Sequence, residues 1–374
     1  MPRGPLIISA NLAWNLVNFR SGLIRALIAR GYRVIAAAPP DPESEAALRA
    51  LGADFAPVRI DSKGLSPWRD MQTFLDYARL FKRERPAAYL GYTIKPNVYG
   101  SLAAQTVGVV TIANVSGLGT AFIRNSILTR IAKTLYALAF RRAATVFFQN
   151  EDDAALFLDA GLVRARQRAM VPGSGIDTAY FAPGTDARLH RGHFLLVARL
   201  VGDKGVREYV EAARIAKASD AELHFSILGF LDVENRTAIS RAEVDGWVAE
   251  GIITYLSPVN DVRPFMMAAD CVVLPSYREG TSRVLLEAAA LARPLVATDV
   301  PGCREVVVDG ETGFLCAARD AVSLASAMMR VAALSDADWQ RMGRAGRNRV
   351  ISTFSEDLVI AEYLAALDRA GVGV

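Results

Sequence analysis

The sequence predicts an α/β protein built as two doubly wound domains, each around a largely parallel sheet. Two observations carry that prediction. Short apolar runs of strand length alternate with helical stretches along almost the whole chain, the pattern that βα units leave when they wrap a parallel sheet. At 374 residues the chain also exceeds what one ordinary hydrophobic core takes up, which divides the alternation between two domains of comparable size.

Composition narrows the classes. With 52% hydrophobic and 22% charged residues the chain is globular rather than disordered. A net charge of +4 and a pI near 9.0 suit anionic substrates or a membrane surface and are too weak to argue for nucleic acid. Cys271, Cys303 and Cys316 form no Cys-x2-Cys pair, so neither a disulfide framework nor a zinc site is expected, and a reducing cytoplasm fits. The opening MPRGPLIISA lacks the layout of a signal peptide, and no apolar run reaches about 18 residues; the protein is expected to be soluble or peripheral.

Taken in order, Leu6–Ser9 reads as a strand, residues 11–21 as a loop running into a helix that ends before Gly31, and 33–37 as the next strand. Trp14, Asn15, Asn18 and Arg20 fall in that loop. Loops at strand ends carry binding residues, although a solvated loop with Trp14 packed down is an equal alternative. Strands follow near 54–58, 87–91, 109–113 and 145–149, separated by helices at 67–82, 97–107 and 126–142, with a further helix at Glu151–Asp159. Asp152 and Asp153 stand at its start and read as caps rather than metal ligands. Lys95 lies in GYTIKPNVYG, one residue before a proline suited to a first helical turn, and Ser116 lies in the glycine-bearing NVSGLGTAF.

Over 123–140, Ile127, Ile131, Leu135 and Leu138 share one face, while Arg130, Lys133 and Arg141 gather on another, extended by Arg124 and Arg142. The apolar face suits packing within the domain. The basic stripe suits an anionic leaflet or a diphosphate head group, which would make attachment monotopic.

A glycine- and proline-rich stretch near 171–183, polar through Gly192, is expected as a linker. The expected layout is a first domain at 1–171, a linker at 172–192, a second domain at 193–353 and a closing helix in 354–374 that packs back on the first. The second alternation runs through a strand at 193–199, GDKG opening a helix at 206–217, a strand ending at Gly229, a strand at 252–256, a loop holding Val259 and the apolar run CVVLP. Arg199 and Lys204, one at a strand end and one near a helix start, converge where an anion would be held. As an isolated pair they also read as surface charges. No GxGxxG follows the first strand, which counts against an NAD enzyme.

The most telling stretch is REGTSRVLLEAAALARPLVATD, residues 278–299. Glu279 falls in the loop after a strand, Thr281 or Ser282 is the N-cap, and Glu287 projects from the second turn of the helix. Ligands of open α/β sheets bind at the strands' carboxyl ends, and a helix N-terminus offers amides to an anion. Two acids eight apart are common, and taken alone they read first as a surface loop glutamate and a helix glutamate in a local ion pair with a neighbouring cation.

This stretch resembles the Glu-x7-Glu signature of the retaining glycosyltransferases of family 4. The resemblance extends over nearly the whole chain and implies the GT-B fold, two Rossmann-like domains facing across a cleft. It implies that Glu279 faces the donor sugar, that Glu287 holds the nucleotide ribose, and that amides around Thr281, Ser282, Arg283 and Val284 bind the diphosphate. By the same resemblance Arg199 and Lys204 offset the charge of the leaving diphosphate, Gly229 and Val259 lie by the nucleotide, and Gly175 and Asp177 approach the cleft. GYTIKPNVYG and NVSGLGTAF look like strings of the subgroup that acts on undecaprenyl-diphosphate-linked sugars, with Asn15, Asn18, Arg20, Lys95 and Ser116 toward the acceptor. The resemblance thus implies metal-independent, front-face transfer of an N-acetylhexosamine from a UDP-sugar to a polyprenyl-diphosphate-linked acceptor, with no cofactor, at the cytoplasmic face of the inner membrane. Thr281 to Arg283 depart from the family's more common Phe-Pro-Asn type, which leaves donor selection open. A family 4 enzyme with another acceptor, a UDP-sugar 2-epimerase and a non-catalytic nucleotide-sugar binder are the rivals.

Overall fold

The computed structural model describes residues 4–61, 66–117, 127–184, 188, 190–231, 235 and 237–373. It divides into two compact units, Met1–Gly175 with Glu356–Val374, and Ile176–Ser355.

The first unit holds strands β1 (Leu6–Ser9), β2 (Val34–Ala38), β3 (Asp54–Pro57), β4 (Ala88–Tyr92), β5 (Val110–Val115), β6 (Thr145–Phe148) and β7 (Arg168–Met170). All pair in parallel in the order β3-β2-β1-β4-β5-β6-β7, so the order reverses between β1 and β4. Most strands are apolar on both faces because helices cover both, as parallel sheets require. Leu6 and Ile8 pack on α1 (Ala13–Ala29), α2 (Pro42–Ala50) and the chain's last helix, through Leu16, Leu27, Leu48 and Tyr363. Ile7, one residue out of phase, faces Tyr77 and Phe81 of α3 (Pro67–Glu84). On that same side a wide π-turn, Pro96–Gly100, leads into α4 (Ser101–Val107), and α5 (Ile127–Phe140) meets α6 (Glu151–Asp159) through Tyr136, Phe140 and Phe157.

Three local expectations change. The loop expected over 11–21 is helical from Ala13, because Ala13, Leu16, Arg20, Leu23 and Leu27 are buried at helical spacing from its first residue. The apolar face expected of α5 is only partly the buried one: Leu135 packs against the core, Ile131 and Leu138 are exposed, and Tyr136, Ala139 and Phe140 pack inward. Large aromatic rings remove more apolar surface from water than the aliphatic residues they displace. Arg124, the Ile127 side chain and most of NVSGLGTAF beyond Gly117 lie outside the described residues. Finally, the side chain that caps α6 is Asn150, which accepts from the Asp153 amide at 2.8 Å, with Asp152 and Asp153 in the first turn.

The second unit holds β8 (His193–Val197), β9 (His224–Leu228), β10 (Thr254–Leu256), β11 (Cys271–Leu274), β12 (Leu295–Thr298) and β13 (Gly313–Cys316), all parallel, in the order β10-β9-β8-β11-β12-β13. The reversal here falls between β8 and β11. Helices α7 (Val206–Ser219), α8 (Arg241–Ala249), α9 (Arg263–Ala268), α10 (Arg283–Ala290), α11 (Ala321–Ala332) and α12 (Asp336–Thr353) complete it, and α13 (Glu356–Arg369) is the helix that returns to the first unit. All three cysteines are buried and free.

The stretch expected as a linker is mostly integral to the second unit. Phe181 enters its core, and Arg188 makes a two-pronged ion pair with Asp270 at 2.6 and 2.7 Å, with side chains only 4% and 0% exposed. The Trp339 indole donates to the Asp270 carbonyl at 2.9 Å. A carboxylate so deeply buried is tolerable only because its oxygens are filled by the Arg188 fork and the Gly192 amide. Gly175 and Asp177 serve the chain itself: Gly175, at φ +73°, lets the backbone pass within 2.6 Å of the Glu356 Cα, measured from where a Cβ would stand. The Asp177 carboxylate accepts from the Ala179 and Tyr180 amides.

Candidate active site

In the second unit the expected residues follow the carboxyl ends of β8, β9, β10 and β11, and Glu279 and Lys204 come from the two strands that flank the reversal. Such a switch point leaves a crevice between loops that turn to opposite sides of the sheet. Here the two loops are stitched together. The Asp203 carbonyl accepts from the Tyr277 amide at 2.9 Å and from the Ser276 hydroxyl at 3.2 Å, and Thr298 donates in turn to the Ser276 carbonyl. Gly205, at φ +70°, lets the turn before α7 close on Pro275, whose carbonyl oxygen lies 2.1 Å from where a Cβ would stand.

The stitching brings the Lys204 ammonium onto the Glu279 carboxylate in a hydrogen-bonded ion pair, with side chains 21% and 15% exposed. That exposure places the pair between a solvated surface bridge and a buried one, where each charge still depends on the other or on a substitute. Glu279 is also held from behind. Its amide donates to the Pro301 carbonyl at 3.0 Å, and Gly302, at φ +84°, packs so closely that a Cβ would lie 2.5 Å from Glu279. The Gly302 amide is taken by Glu305 at 2.6 Å. Cys303, behind this loop, has its thiol pushed well up by burial and further by Glu279.

Arg199 is exposed and forms no ion pair with a described residue. Gly229 is buried at the end of β9, where a Cβ would lie 1.7 Å from the Ala198 carbonyl oxygen, and its own carbonyl accepts from Tyr255 at 2.8 Å. Phe230 beside it is 55% exposed, an aromatic at the carboxyl edge that the sequence reading passed over. Its position after a strand-ending glycine was the available signal. Val259 is half-buried against the core after β10.

At α10 the N-cap is Ser282, whose hydroxyl accepts from the Leu285 amide at 3.4 Å; Thr281 stands outside the helix. The Ser282 amide already donates to the Gly302 carbonyl at 2.9 Å, so it serves the loop and not an anion. The Val284 amide has no acceptor among the described residues, as expected in a first helical turn. Glu287 pairs with Arg283 at 2.8 Å one turn earlier, with side chains 13% and 25% exposed. Burial raises the Glu287 carboxyl, and Arg283 only partly offsets this. Among the described residues no three His, Cys, Asp or Glu side chains gather as a metal site needs.

In the first unit the acceptor-side candidates are more dispersed. Asn15 and Asn18 lie on α1 and not in a loop, bonded to Asn11 and to the Trp14 carbonyl, each at 2.9 Å. Arg20 is 6% exposed and lies over the Tyr92 ring at 4.2 Å, a packed position that does not present its guanidinium outward. Lys95 is half-buried and donates to Asp70 at 2.5 Å, beside Tyr99, which donates to the same carboxylate at 2.8 Å. Ser116 is half-buried beyond β5. Sequence reading missed Thr93, a β-branched residue at φ +65° whose hydroxyl accepts from the Asn11 amide at 3.1 Å, tying the loops after β1 and β4. It also missed the buried Asn114, which donates to Tyr363 at 2.7 Å and accepts on its carbonyl from Asn97.

The chain, with two Rossmann-like sheets and a lysine–glutamate pair at the switch point of one, belongs to the glycosyltransferases of group 1 and family 4. The family described as "Glycosyl transferases group 1" matches residues 191–333, and the "Glycosyl transferase 4-like domain" matches residues 18–173. Among similar curated proteins, the N,N'-diacetylbacillosaminyl-diphospho-undecaprenol alpha-1,3-N-acetylgalactosaminyltransferase of Campylobacter jejuni is 26% identical over 95% of this chain and 96% of its own. The capsular polysaccharide biosynthesis glycosyltransferase CapM of Staphylococcus aureus is 24% identical over 84% and 85%. Of solved structures, HepE of Anabaena with UDP and glucose superposes with a TM-score of 0.80 at 16% identity, covering 98% of this chain and 99% of that one. The sucrose-phosphate synthase of Thermosynechococcus elongatus gives 0.79 at 20%, with the same coverage. The fold is therefore that of the GT-B glycosyltransferases.

Proposed function

We propose that this glycosyltransferase moves an N-acetylhexosamine from its UDP-sugar to an undecaprenyl-diphosphate-linked saccharide, with retention and without a metal, at the cytoplasmic face of the inner membrane. The observation that carries the reading is the Lys204–Glu279 pair at the β8/β11 switch point, with exposed Arg199 two residues after the end of β8. A diphosphate arriving there offers Lys204 a second anionic partner. Transfer of the ammonium from Glu279 to the phosphate would free the carboxylate to accept from sugar hydroxyls. Arg199 and Lys204 would then face charge that grows on the leaving phosphate, an interaction worth most in the transition state. The phosphate can take the acceptor's proton, so no side chain is assigned as general base. Glu287, next to Arg283, would accept from the ribose hydroxyls, and the Val284 amide would donate to the diphosphate.

The acceptor class rests on similarity over nearly the full length to the Campylobacter jejuni enzyme, whose name specifies a diphospho-undecaprenol substrate and N-acetylgalactosamine transfer. A second reading, a soluble acceptor, is favoured by 33% identity to the D-inositol 3-phosphate glycosyltransferase of Pseudarthrobacter chlorophenolicus, but over only 52% of this chain. Measuring UDP release from a panel of UDP-sugars decides between them, with a short polyprenyl-diphosphate sugar or inositol 3-phosphate as acceptor. Release from a UDP-N-acetylhexosamine that depends on the polyprenyl acceptor is the expected result. Release that follows inositol phosphate, or none with any donor, would overturn the reading.

A further inference from the structure

Tyr277, two residues before Glu279, is fixed at three points, and two of them lie on the segment that carries Lys204. Its amide donates to the Asp203 carbonyl at 2.9 Å, one residue before Lys204. Its hydroxyl donates to the Glu208 carboxylate at 2.6 Å, four residues after Lys204 in the first turn of α7. Lys204 is thus bracketed by two groups that the same tyrosine holds. At the third point the Arg319 guanidinium lies over the Tyr277 ring at 4.5 Å. Arg319 reaches it from a left-handed backbone turn at φ +60°, which few arginines adopt, directly before Asp320 caps α11 by accepting from the Ser323 amide at 2.9 Å.

A neutral acceptor would be enough to anchor a tyrosine in the fold. Glu208 instead brings a carboxylate whose Oε2 is buried without a hydrogen bond among the described residues, at a cost in desolvation. What a carboxylate adds over a neutral acceptor is a stronger bond to the hydroxyl. Burial, and then Glu208, push the Tyr277 phenol up to about 12, so it remains a donor at neutral pH. The bond also has a local task, because Gly205, the one residue between the turn that ends at Lys204 and the start of α7, restrains the backbone weakly by itself.

We infer that Tyr277 and Glu208 are positioning residues for the transfer: their bond, together with the Asp203 carbonyl on the other side, holds the Lys204 ammonium where it can pass from Glu279 to a diphosphate. Neither residue is assigned a contact with substrate. Both act through Lys204, so their loss falls on the step in which Lys204 meets growing charge, and on rate more than on binding. The inference deepens the donor chemistry proposed above and rests on that reading.

The test is steady-state kinetics of sugar transfer by the full chain for the wild type, Tyr277→Phe, Glu208→Ala, Glu208→Gln and Lys204→Ala, with Tyr277→Phe repeated in the Lys204→Ala background; thermal melts confirm that each folds. Tyr277→Phe keeps the ring under Arg319 and removes only the hydroxyl. Tyr277→Phe and Glu208→Ala should each lower kcat by about 10- to 100-fold, as displacement of a reacting group by up to about 1 Å does, with donor KM changed by less than about threefold. Glu208→Gln, whose amide oxygen can accept the same hydroxyl through a weaker bond, should stay within about fivefold of the wild type. In Lys204→Ala the group being positioned is gone, so Tyr277→Phe should lower kcat by no more than about twofold further. Equal losses from Tyr277→Phe with and without the Lys204 side chain, the mark of a tyrosine that only packs α7 onto the sheet, would overturn the inference. So would a raised donor KM with kcat unaltered, a Glu208→Gln variant as impaired as Glu208→Ala, or full activity of Tyr277→Phe while Lys204→Ala is impaired. Full activity of Lys204→Ala would overturn the proposed donor chemistry, and the inference with it.

Discussion

The six-stranded second sheet repeats the order of the first six strands of the first, and the two differ in what stands at the reversal. Between β1 and β4 the polar groups are largely spent on one another: Arg20 lies over Tyr92, Lys95 is held by Asp70, and the Thr93 hydroxyl takes the Asn11 amide. Between β8 and β11, Arg199 is exposed with no ion-pair partner among the described residues, and Lys204 and Glu279 share a partly exposed pair. Topology supplies the same crevice twice. The side chains decide which is poised to exchange a partner for an anion, and that is the ground for proposing the donor chemistry at the second.

The sharpest way to break this contrast is to remove charge from each reversal. Arg199→Ala and Lys204→Ala should each lower kcat by about 100- to 1000-fold, the range seen when a preorganised donor to transition-state charge is lost. Lys95→Ala should lower it by less than about tenfold, since its carboxylate partner is shared with Tyr99 and it lies outside the reversal proposed to hold the leaving phosphate. Equal losses at Lys95 and Lys204 in steady-state kinetics would erase the distinction.

Next in size is Gly302→Ala. Its Cβ would lie 2.5 Å from Glu279 at a backbone φ of +84°, so the loop behind the carboxylate must move. A displacement near 1 Å there should lower transfer by about 100-fold, and unfolding should become easier by about 1–3 kcal/mol. Wild-type activity in this variant would show that the position of Glu279 is not critical.

Arg20→Ala tests the opposite assignment in the first unit. Removing a 6% exposed side chain from the Tyr92 ring should lower stability by about 2–4 kcal/mol, as large-to-small changes in cores do. A variant that melts like the wild type yet has a raised KM for acceptor would restore Arg20 to the binding surface.

Glu287→Gln gives the smallest effect on stability and fixes its sign. Burial raises the folded-state value of Glu287, so its contribution to stability is full below the unfolded value and is lost as pH rises through the folded one. The glutamine variant lacks that loss. Its stability relative to the wild type should therefore grow from about pH 4 to pH 7 in chemical denaturation, while its affinity for UDP falls. A difference that shrinks over that interval would mean that Arg283 outweighs burial.

The alternation of apolar runs made the strands of both sheets legible; CVVLP, for instance, is β11 with one proline beyond it. Elements that bury little were not. α2 buries only Ser44 and Leu48, α8 only Val244, and β7 is a half-buried edge strand, so none shows a strong period. The start of α1 was hidden by Asn15, Asn18 and Arg20, polar residues that resemble a loop until the burial of Leu16 and Leu23 reveals the helical face. At the site, the sequence gives the residue types and their order. It cannot show that Lys204 meets a glutamate 75 positions away, because that contact follows from the strand order and from the Asp203 carbonyl that joins the two loops. Nor does spacing reveal that the Ser282 amide is already taken by Gly302.

The central claim is that the β8/β11 reversal binds the donor through Arg199 and Lys204. Calorimetric titration of UDP into the wild type, the Arg199→Gln/Lys204→Gln double variant and Lys95→Gln tests it without requiring the acceptor. The account predicts saturable binding to the wild type and to Lys95→Gln with similar affinity, and a loss of at least about tenfold in the double variant, near 1.4 kcal/mol or more. Unchanged affinity in the double variant, or a comparable loss in Lys95→Gln, would contradict it.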